Sequence, residues 1–164
     1  MTGKENRSSV MDDRRVLDRR TAETLRTLYN GIGQTHPLIL CFVSGVSIPR
    51  YCAPMARAPL PPLGDAFDEN FLRVVEAAQR QNASIHDGAI VVSRQNNGDF
   101  YRVSGWSFRL IPPMISEFAE ANRGSAYNSA ICMSLSENVD AVALLSKHHS
   151  DVFAGGRRYA PSEL

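Results

Sequence analysis

The stretch that decides the fold is Ile85-His86-Asp87-Gly88-Ala89-Ile90-Val91-Val92. A polar turn that contains an acid and a glycine leads directly into a run of apolar, mostly β-branched residues, which is the pattern of a buried strand. An acid at such a junction is held at the end of a rigid strand, where ligands bind in α/β folds. The same Asp-Gly pair is also typical of a simple turn. The sequence alone therefore leaves two interpretations of Asp87, a site residue and a turn residue.

Composition indicates one globular domain. The chain has 164 residues, of which 43% are hydrophobic and 21% charged, and this length is sufficient to bury a core without cross-links. The formal net charge is only +1, so charge gives no argument for a nucleic-acid or membrane partner. The longest apolar run, residues 38–43, is much shorter than a membrane span. We therefore expect neither kind of partner.

The cysteines and the beginning of the sequence favour a reducing compartment. Cys41, Cys52 and Cys132 are odd in number and widely spaced, a pattern that fits neither a disulfide framework nor a zinc site. The first residues are polar and lack the apolar segment of a secretory signal. A cytoplasmic location is the resulting expectation.

The pattern of apolar residues and turn signals predicts the secondary structure. In chain order, the predicted elements are a helix over 12–30 with a capping box at 9–12, a strand over 38–43, a proline-rich connection over 44–64 with an edge strand at 46–48, a helix over 67–81 with a capping box at 65–68, hairpin strands over 89–93 and 99–104, a helix over 115–121, a helix capped by Ser125, and strands over 139–145 and 152–154.

This order predicts an α/β fold with a single domain, in which a central mixed sheet is flanked by helices. The predicted organisation has a flexible tail over 1–11, the domain over 12–158 with its core over 65–158, and a second tail over 159–164. The proline-rich connection lengthens a loop within this one domain. Loops of that length are often functional.

Three polar groups are candidates for chemistry. His86-Asp87 precedes one strand, Gly124-Ser125 lies at the N-terminus of a predicted helix, and Ser146-Lys147 follows another strand. A helix N-terminus offers free N–H groups and a positive dipole end, which suit a phosphate. If the strands end on one side of the sheet, an acid, an anion site and a basic group converge there. Each group also fits an ordinary turn, cap or solvated loop.

Taken together, these segments resemble the diadenylate cyclase (DAC) domain family, whose members make cyclic di-AMP from two ATP molecules held face to face by two domains. The resemblance covers residues 65–158 and, more loosely, the strand at 38–43. The quoted stretch is similar to the family's Leu-His-Asp-Gly-Ala segment, and residues 105–110 fall where the family lines its adenine pocket. Residues 140–146 and 155–157 are similar to the strand and turn that follow.

The resemblance implies a mechanism for the family. An aspartate binds Mg or Mn and helps to activate a ribose 3′-hydroxyl, while a Gly-Thr-Arg-His-Arg segment holds the triphosphate. Phosphoryl transfer depends mainly on such positioning and charge neutralisation. By this resemblance Asp87 is the catalytic and metal-binding residue, if the chain is active.

The phosphate-binding segment departs from the family pattern. Gly124 and Ala130 match it and Ser125 keeps a hydroxyl, but the Arg-His-Arg core is replaced by residues 126–128, Ala-Tyr-Asn. Each lost charge-assisted contact contributes roughly 1.5–3 kcal/mol, so triphosphate affinity should fall by orders of magnitude. Lys147, Arg109 and Arg123 are the positive residues that remain as candidates to replace part of this charge.

We therefore expect a DAC-like sensor domain, of the kind used in bacterial signalling, that binds a nucleotide or a related small molecule and has lost cyclase activity. Its expected ligand site comprises Gly88, Ala89, Phe108, Leu110, Gly124, Ser125, Tyr127, Asn128, Ser146 and Lys147. One alternative is an active diadenylate cyclase, a nucleotidyltransferase that uses Asp87 and Mg or Mn. Another is a protein-interaction module without ligand, which would use the arginine-bearing face of helix 12–30 and the 44–64 segment. A second copy of the chain and an effector protein are the candidate protein partners.

Overall fold

The computed structural model describes residues 16–32 and 36–164. Within these residues, each α-helix is followed by two or three strands. They are α1 (Arg19–Gly31), β1 (Leu38–Ser44), β2 (Cys52–Pro54), α2 (Phe71–Gln81), β3 (Ala89–Arg94), β4 (Arg102–Leu110), α3 (Ser125–Met133), β5 (Val139–Leu145), β6 (Ser150–Ala154) and β7 (Arg157–Tyr159). The predicted tail over 1–11 and the capping box at 9–12 lie outside the described residues.

The seven described strands form one mixed sheet in the order β2-β4-β3-β1-β5-β6-β7. β1 and β3 are parallel, and the other neighbouring strands are antiparallel. A parallel pair requires a crossover connection, and here α2 lies within that connection. The predicted mixed sheet with flanking helices is confirmed.

Alternating residues of the central strands divide the core into two layers. In β1, Leu40 and Phe42 join the cluster that contains apolar residues of α1 and α2. Cys41 and Val43 join the cluster beneath α3 on the other face. This division follows from the two-residue period of a strand, and it explains why β1 and β3 read as continuous apolar runs: both of their faces are buried.

Two helices begin later in the structure than the sequence predicts. α1 starts at Arg19, because the Asp18 carboxylate accepts a hydrogen bond from the Thr21 N–H at 2.9 Å and so caps the helix. α2 starts at Phe71 rather than at 67. Residue Ala66 instead forms a bridge to Arg102, which keeps the chain extended before the helix.

Several other local predictions are wrong. The edge strand is Cys52–Pro54 rather than 46–48, and the second hairpin strand begins at Arg102 and continues to Leu110. No helix forms over 115–121: the Ser116 hydroxyl accepts a hydrogen bond from the Phe118 N–H at 3.1 Å, and such local bonds compete with a helix. An additional short strand, β7, pairs with β6.

The arginines of α1 are partly bound to the domain itself. Arg26 donates hydrogen bonds to the backbone oxygens of Pro161 and Leu164, and Arg20 donates to the backbone oxygen of Gly98. Two arginines of this helix are therefore bound within the chain. Among the described residues, no helix combines the length and apolar character that a membrane crossing requires.

Candidate functional site

The strand directions bring two of the candidate polar groups to one edge of the sheet. Ile39 in β1 pairs with Ala89 near the start of β3 and with Leu144 near the end of β5. Asp87, which precedes β3, and Ser146, which follows β5, therefore lie at this same edge with β1 between their strands. This edge is formed by the N-terminal ends of the parallel strands β1 and β3 and by the C-terminal end of β5.

The first hollow at this edge contains the acid of the quoted stretch. It has a volume of about 440 Å³, and we call it the Asp87 hollow. Its lining residues are Ala53, Pro54, Met55, Ala56, Arg57, Asp87 and Arg109. The sequence does not predict Arg57 as a neighbour of Asp87, because Arg57 lies in the proline-rich connection, where no periodicity or motif indicates spatial contacts.

Arg57 holds the Asp87 carboxylate. Its Nη2 atom donates to Asp87 Oδ2 at 2.9 Å, and its Nε atom contacts the Ser84 carbonyl oxygen and Ser107 Oγ, each at 3.1 Å. The Arg57 side chain is 19% exposed and that of Asp87 is 63% exposed. The guanidinium is therefore mostly buried and is held by these three acceptors, of which Ser107 Oγ belongs to a buried residue, while the carboxylate stays in contact with solvent.

The backbone around Asp87 is shaped for this pairing. Ser107 has a φ of 60°, a conformation uncommon for residues other than glycine, and its hydroxyl donates to the Asp87 carbonyl oxygen at 2.5 Å. Gly88 has a φ of 88°, and a Cβ there would lie 2.4 Å from Met55 Cε and 3.0 Å from the Phe108 carbonyl oxygen. Only glycine fits this position without strain.

The described residues at Asp87 do not by themselves form a divalent-metal site. Metal ions of the Mg and Mn class take several oxygen ligands, yet the Asp87 carboxylate already faces the Arg57 guanidinium. The neighbouring His86 ring contacts the Ala83 carbonyl oxygen through Nδ1 at 2.6 Å and stacks on His36 at 4.2 Å between ring centroids. In the part of the chain that the structure describes, no group of three or more His, Cys, Asp or Glu residues is arranged to hold a metal.

The second hollow lies at the N-terminus of α3 and has a volume of about 330 Å³. We call it the α3 hollow. Four predicted site residues line it, namely Gly124, Ser125, Tyr127 and Ser146. The other lining residues are Pro37, Arg123, Ala126, Leu144, His149 and Asp151. Of these, Arg123 is one of the residues that the sequence offers to replace the lost positive charge.

Charged side chains surround the α3 hollow. The buried Asp151 carboxylate accepts a hydrogen bond from Arg158 Nε at 2.5 Å. The Tyr127 hydroxyl donates to Glu120 at 3.1 Å, and the Arg123 guanidinium lies 4.5 Å from the centroid of the Tyr127 ring. Burial, followed by the hydrogen bond to Glu120, raises the pKa of Tyr127. The phenol is therefore a neutral group in the wall of the hollow at neutral pH.

The remaining predicted site residues lie outside these two hollows. Leu110 is buried in the core beneath α3, and Phe108 packs against the same core. Asn128 is bound to the backbone of Glu120, since its amide donates to the carbonyl oxygen at 2.9 Å and accepts from the N–H at 3.2 Å. Gly88 and Ala89 form the backbone beneath Asp87, and Lys147 is exposed beside the α3 hollow.

The structure thus divides the predicted site into two. The Asp87 hollow and the α3 hollow have no lining residue in common. From the sequence we expect one ligand between Asp87, the Phe108 region and the Gly124-Ser125 turn, but these groups do not line a shared hollow in the described chain. Arg57, which the sequence pattern did not reveal, lines the Asp87 hollow, and Arg123, one of the candidates to replace the lost positive charge, lines the α3 hollow.

Comparisons with known proteins bear on the fold. No protein-family model and no curated protein sequence matches the chain. The solved structure of a hypothetical membrane spanning protein from Bacillus cereus is similar, with a TM-score of 0.56 and 13% identity over 85% of this chain. This chain spans only 60% of the length of that protein.

A second similar structure is that of the diadenylate cyclase DacA from Staphylococcus aureus, determined as a double mutant. The TM-score is 0.52 with 12% identity, and the match covers 85% of this chain and 84% of the other. Identities this low carry information on fold and none on activity. The chain is a single α/β domain with a seven-stranded mixed sheet, and it has a fold like that of DacA.

Proposed function

We propose that this domain is a DAC-like sensor that binds a nucleotide or a related small molecule without converting it to cyclic di-AMP. The observation that carries the proposal is the α3 hollow, whose 330 Å³ are lined by four residues that the sequence assigns to a ligand site. This volume lies at the lower end of the range for small-molecule sites.

The groups at this hollow suit an anionic ligand. The first N–H groups of a helix have no partner within the helix, and the positive end of the helix dipole favours negative charge. Arg123 adds a guanidinium, whose charge is shared with Glu120 through an ion pair of 3.4 Å, and Ser125 and Ser146 add hydroxyl groups. Pro37 and Leu144 supply an apolar wall. A phosphate or carboxylate next to a flat apolar group has the matching chemistry.

The groups that the family mechanism needs are altered in this chain, and this supports a loss of cyclase activity. The Asp87 carboxylate faces Arg57 rather than a site suited to a metal, and the acid lies in a different hollow from the predicted phosphate grip. The position of the second arginine of the family motif is Asn128, whose amide is bound to the Glu120 backbone. Positioning and charge neutralisation are the main sources of phosphoryl-transfer catalysis, and both are reduced here.

Thermal unfolding with ATP, AMP and cyclic di-AMP tests ligand binding. A ligand at 100 times its Kd stabilises the folded state by about 2.7 kcal/mol, which corresponds to a rise in Tm of roughly 5–10 °C for a domain of this size. We expect one of these ligands to raise the Tm of the wild type and of Arg109→Met, but not of Arg123→Met. Arg109 is the matched control, because it is an exposed arginine of the Asp87 hollow.

An unchanged Tm with all three ligands would contradict the nucleotide-sensor proposal and favour an interaction module that binds a second copy or an effector protein. An equal response in Arg123→Met would place the ligand outside the α3 hollow.

A further inference from the structure

A third hollow lies at the opposite edge of the sheet from the two candidate sites. It is formed by the end of β3, the beginning of β4 and the first turn of α1. Its volume is about 530 Å³. We call it the arginine hollow. Its lining residues are Arg20, Ser93, Arg94, Gln95, Gly98, Asp99, Phe100 and Arg102. Neither the sequence pattern nor the resemblance assigns a role to this place.

Two of its guanidinium groups are fixed by neutral partners. Arg20 donates to the carbonyl oxygen of Gly98 at 2.9 Å and lies 3.5 Å above the centroid of the Phe100 ring. Arg102 donates to the carbonyl oxygen of Gly64 at 3.0 Å. Neither contact neutralises the positive charge. Both contacts reduce the rotational freedom that the side chains would otherwise lose when a ligand binds.

The third guanidinium belongs to a polar cluster at the sheet edge. Arg94 donates to Asp18 at 3.0 Å and to Ser44 Oγ at 3.1 Å, and its side chain is only 11% exposed. Ser44 and Tyr101 in turn hydrogen-bond to Asp140. This network holds Arg94 rigidly at one side of the hollow, with its charge offset in part by Asp18.

Hydrogen-bond donors are in excess at this hollow. A guanidinium has five N–H donors, whereas Arg20 and Arg102 each use one and Arg94 uses two on acceptors of the described chain. The acid that lines the hollow is Asp99, whose Oδ2 accepts hydrogen bonds from the backbone and side chain of Asn96. The hollow therefore carries net positive charge and donors that lack acceptors within the described residues.

We propose that the arginine hollow is a binding site for the phosphate group of a small phosphorylated molecule. Guanidinium groups match the oxygens of a phosphate in a planar, bidentate manner, and two or three of them balance a dianion. The 530 Å³ volume leaves space for more than the phosphate itself. The site is independent of the proposed nucleotide site, because the arginine hollow and the α3 hollow have no lining residue in common.

The test is calorimetric titration of the full chain with inorganic pyrophosphate, a probe that presents two linked phosphates. The variant is Arg102→Gln, which keeps a donor for Gly64. The control is Arg109→Gln, an exposed arginine near the opposite end of the same strand. We expect saturable binding by the wild type, binding at least about tenfold weaker in Arg102→Gln, and unchanged binding in Arg109→Gln.

Absence of saturable pyrophosphate binding by the wild type would overturn this site, as would equal affinities of Arg102→Gln and the wild type. Weakening by Arg123→Met instead of Arg102→Gln would also overturn it, while supporting an anion site in the α3 hollow. The two proposals can therefore fail separately.

Discussion

The Arg57–Asp87 pair allows a prediction about which partner stabilises the fold. The carboxylate is 63% exposed, and exposed ion pairs contribute about 0.2–1 kcal/mol. Asp87→Asn keeps an oxygen that accepts a hydrogen bond from Arg57. We therefore expect this substitution to lower the free energy of unfolding by less than about 1 kcal/mol.

Arg57→Met has a larger expected effect. It removes hydrogen bonds to the Ser84 carbonyl oxygen and to Ser107 Oγ as well as the ion pair, and each neutral hydrogen bond contributes about 0.5–1.5 kcal/mol. Methionine keeps most of the apolar stem. Because Ser107 retains its bond to the Asp87 carbonyl oxygen, we expect a loss of roughly 1–2 kcal/mol.

Urea unfolding measures both effects, with fluorescence of the buried Trp106 as the probe, because this is the one tryptophan of the chain. A midpoint that falls more in Arg57→Met than in Asp87→Asn, with an unchanged m value, supports the reasoning. It means that Asp87 contributes little to stability. A larger loss in Asp87→Asn would refute this and identify Asp87 as a structural turn residue.

Two further substitutions test other features of the fold. Gly88→Ala forces a Cβ into contact with Met55 at a φ of 88°, so we expect urea unfolding to show a loss of about 1–3 kcal/mol; a neutral effect would contradict the described turn. Burial raises the pKa of Asp18, but hydrogen bonds from Thr21 and the charge of Arg94 outweigh it and lower the pKa below its ordinary value of 3.8. The stabilisation is therefore present above that value and is lost as pH falls through the folded-state pKa, and Asp18→Asn should flatten the dependence of Tm on pH below about 4. An unchanged acid profile would argue against the cap.

The central strands could be predicted because both of their faces are buried. Residues 38–43 and 89–92 are continuous apolar runs, and the structure places β1 and β3 there as adjacent parallel strands. Asp87 could be placed at a strand end because it lies just before the apolar run that forms β3. The sheet and its flanking helices follow from the order of these elements.

The partner of Asp87 could not be predicted from local pattern. Arg57 is 30 residues away in sequence and lies among prolines, where neither helix nor strand periodicity applies. The division into two hollows depends on the positions of β2 and of the loop before α3, and these are set by long-range contacts such as the bond from Ser116 Oγ to the Gly156 carbonyl oxygen. Contacts between residues so far apart in the sequence cannot be predicted from a local sequence pattern.

The most direct test of the central proposal is the amount of cyclic di-AMP formed from ATP in the presence of Mn²⁺, measured by mass spectrometry. The sensor proposal predicts no product above the protein-free reaction for the wild type and for Asp87→Asn alike, while an active diadenylate cyclase in the same buffer gives product. Robust product from the wild type that disappears in Asp87→Asn would contradict the proposal and identify a working cyclase.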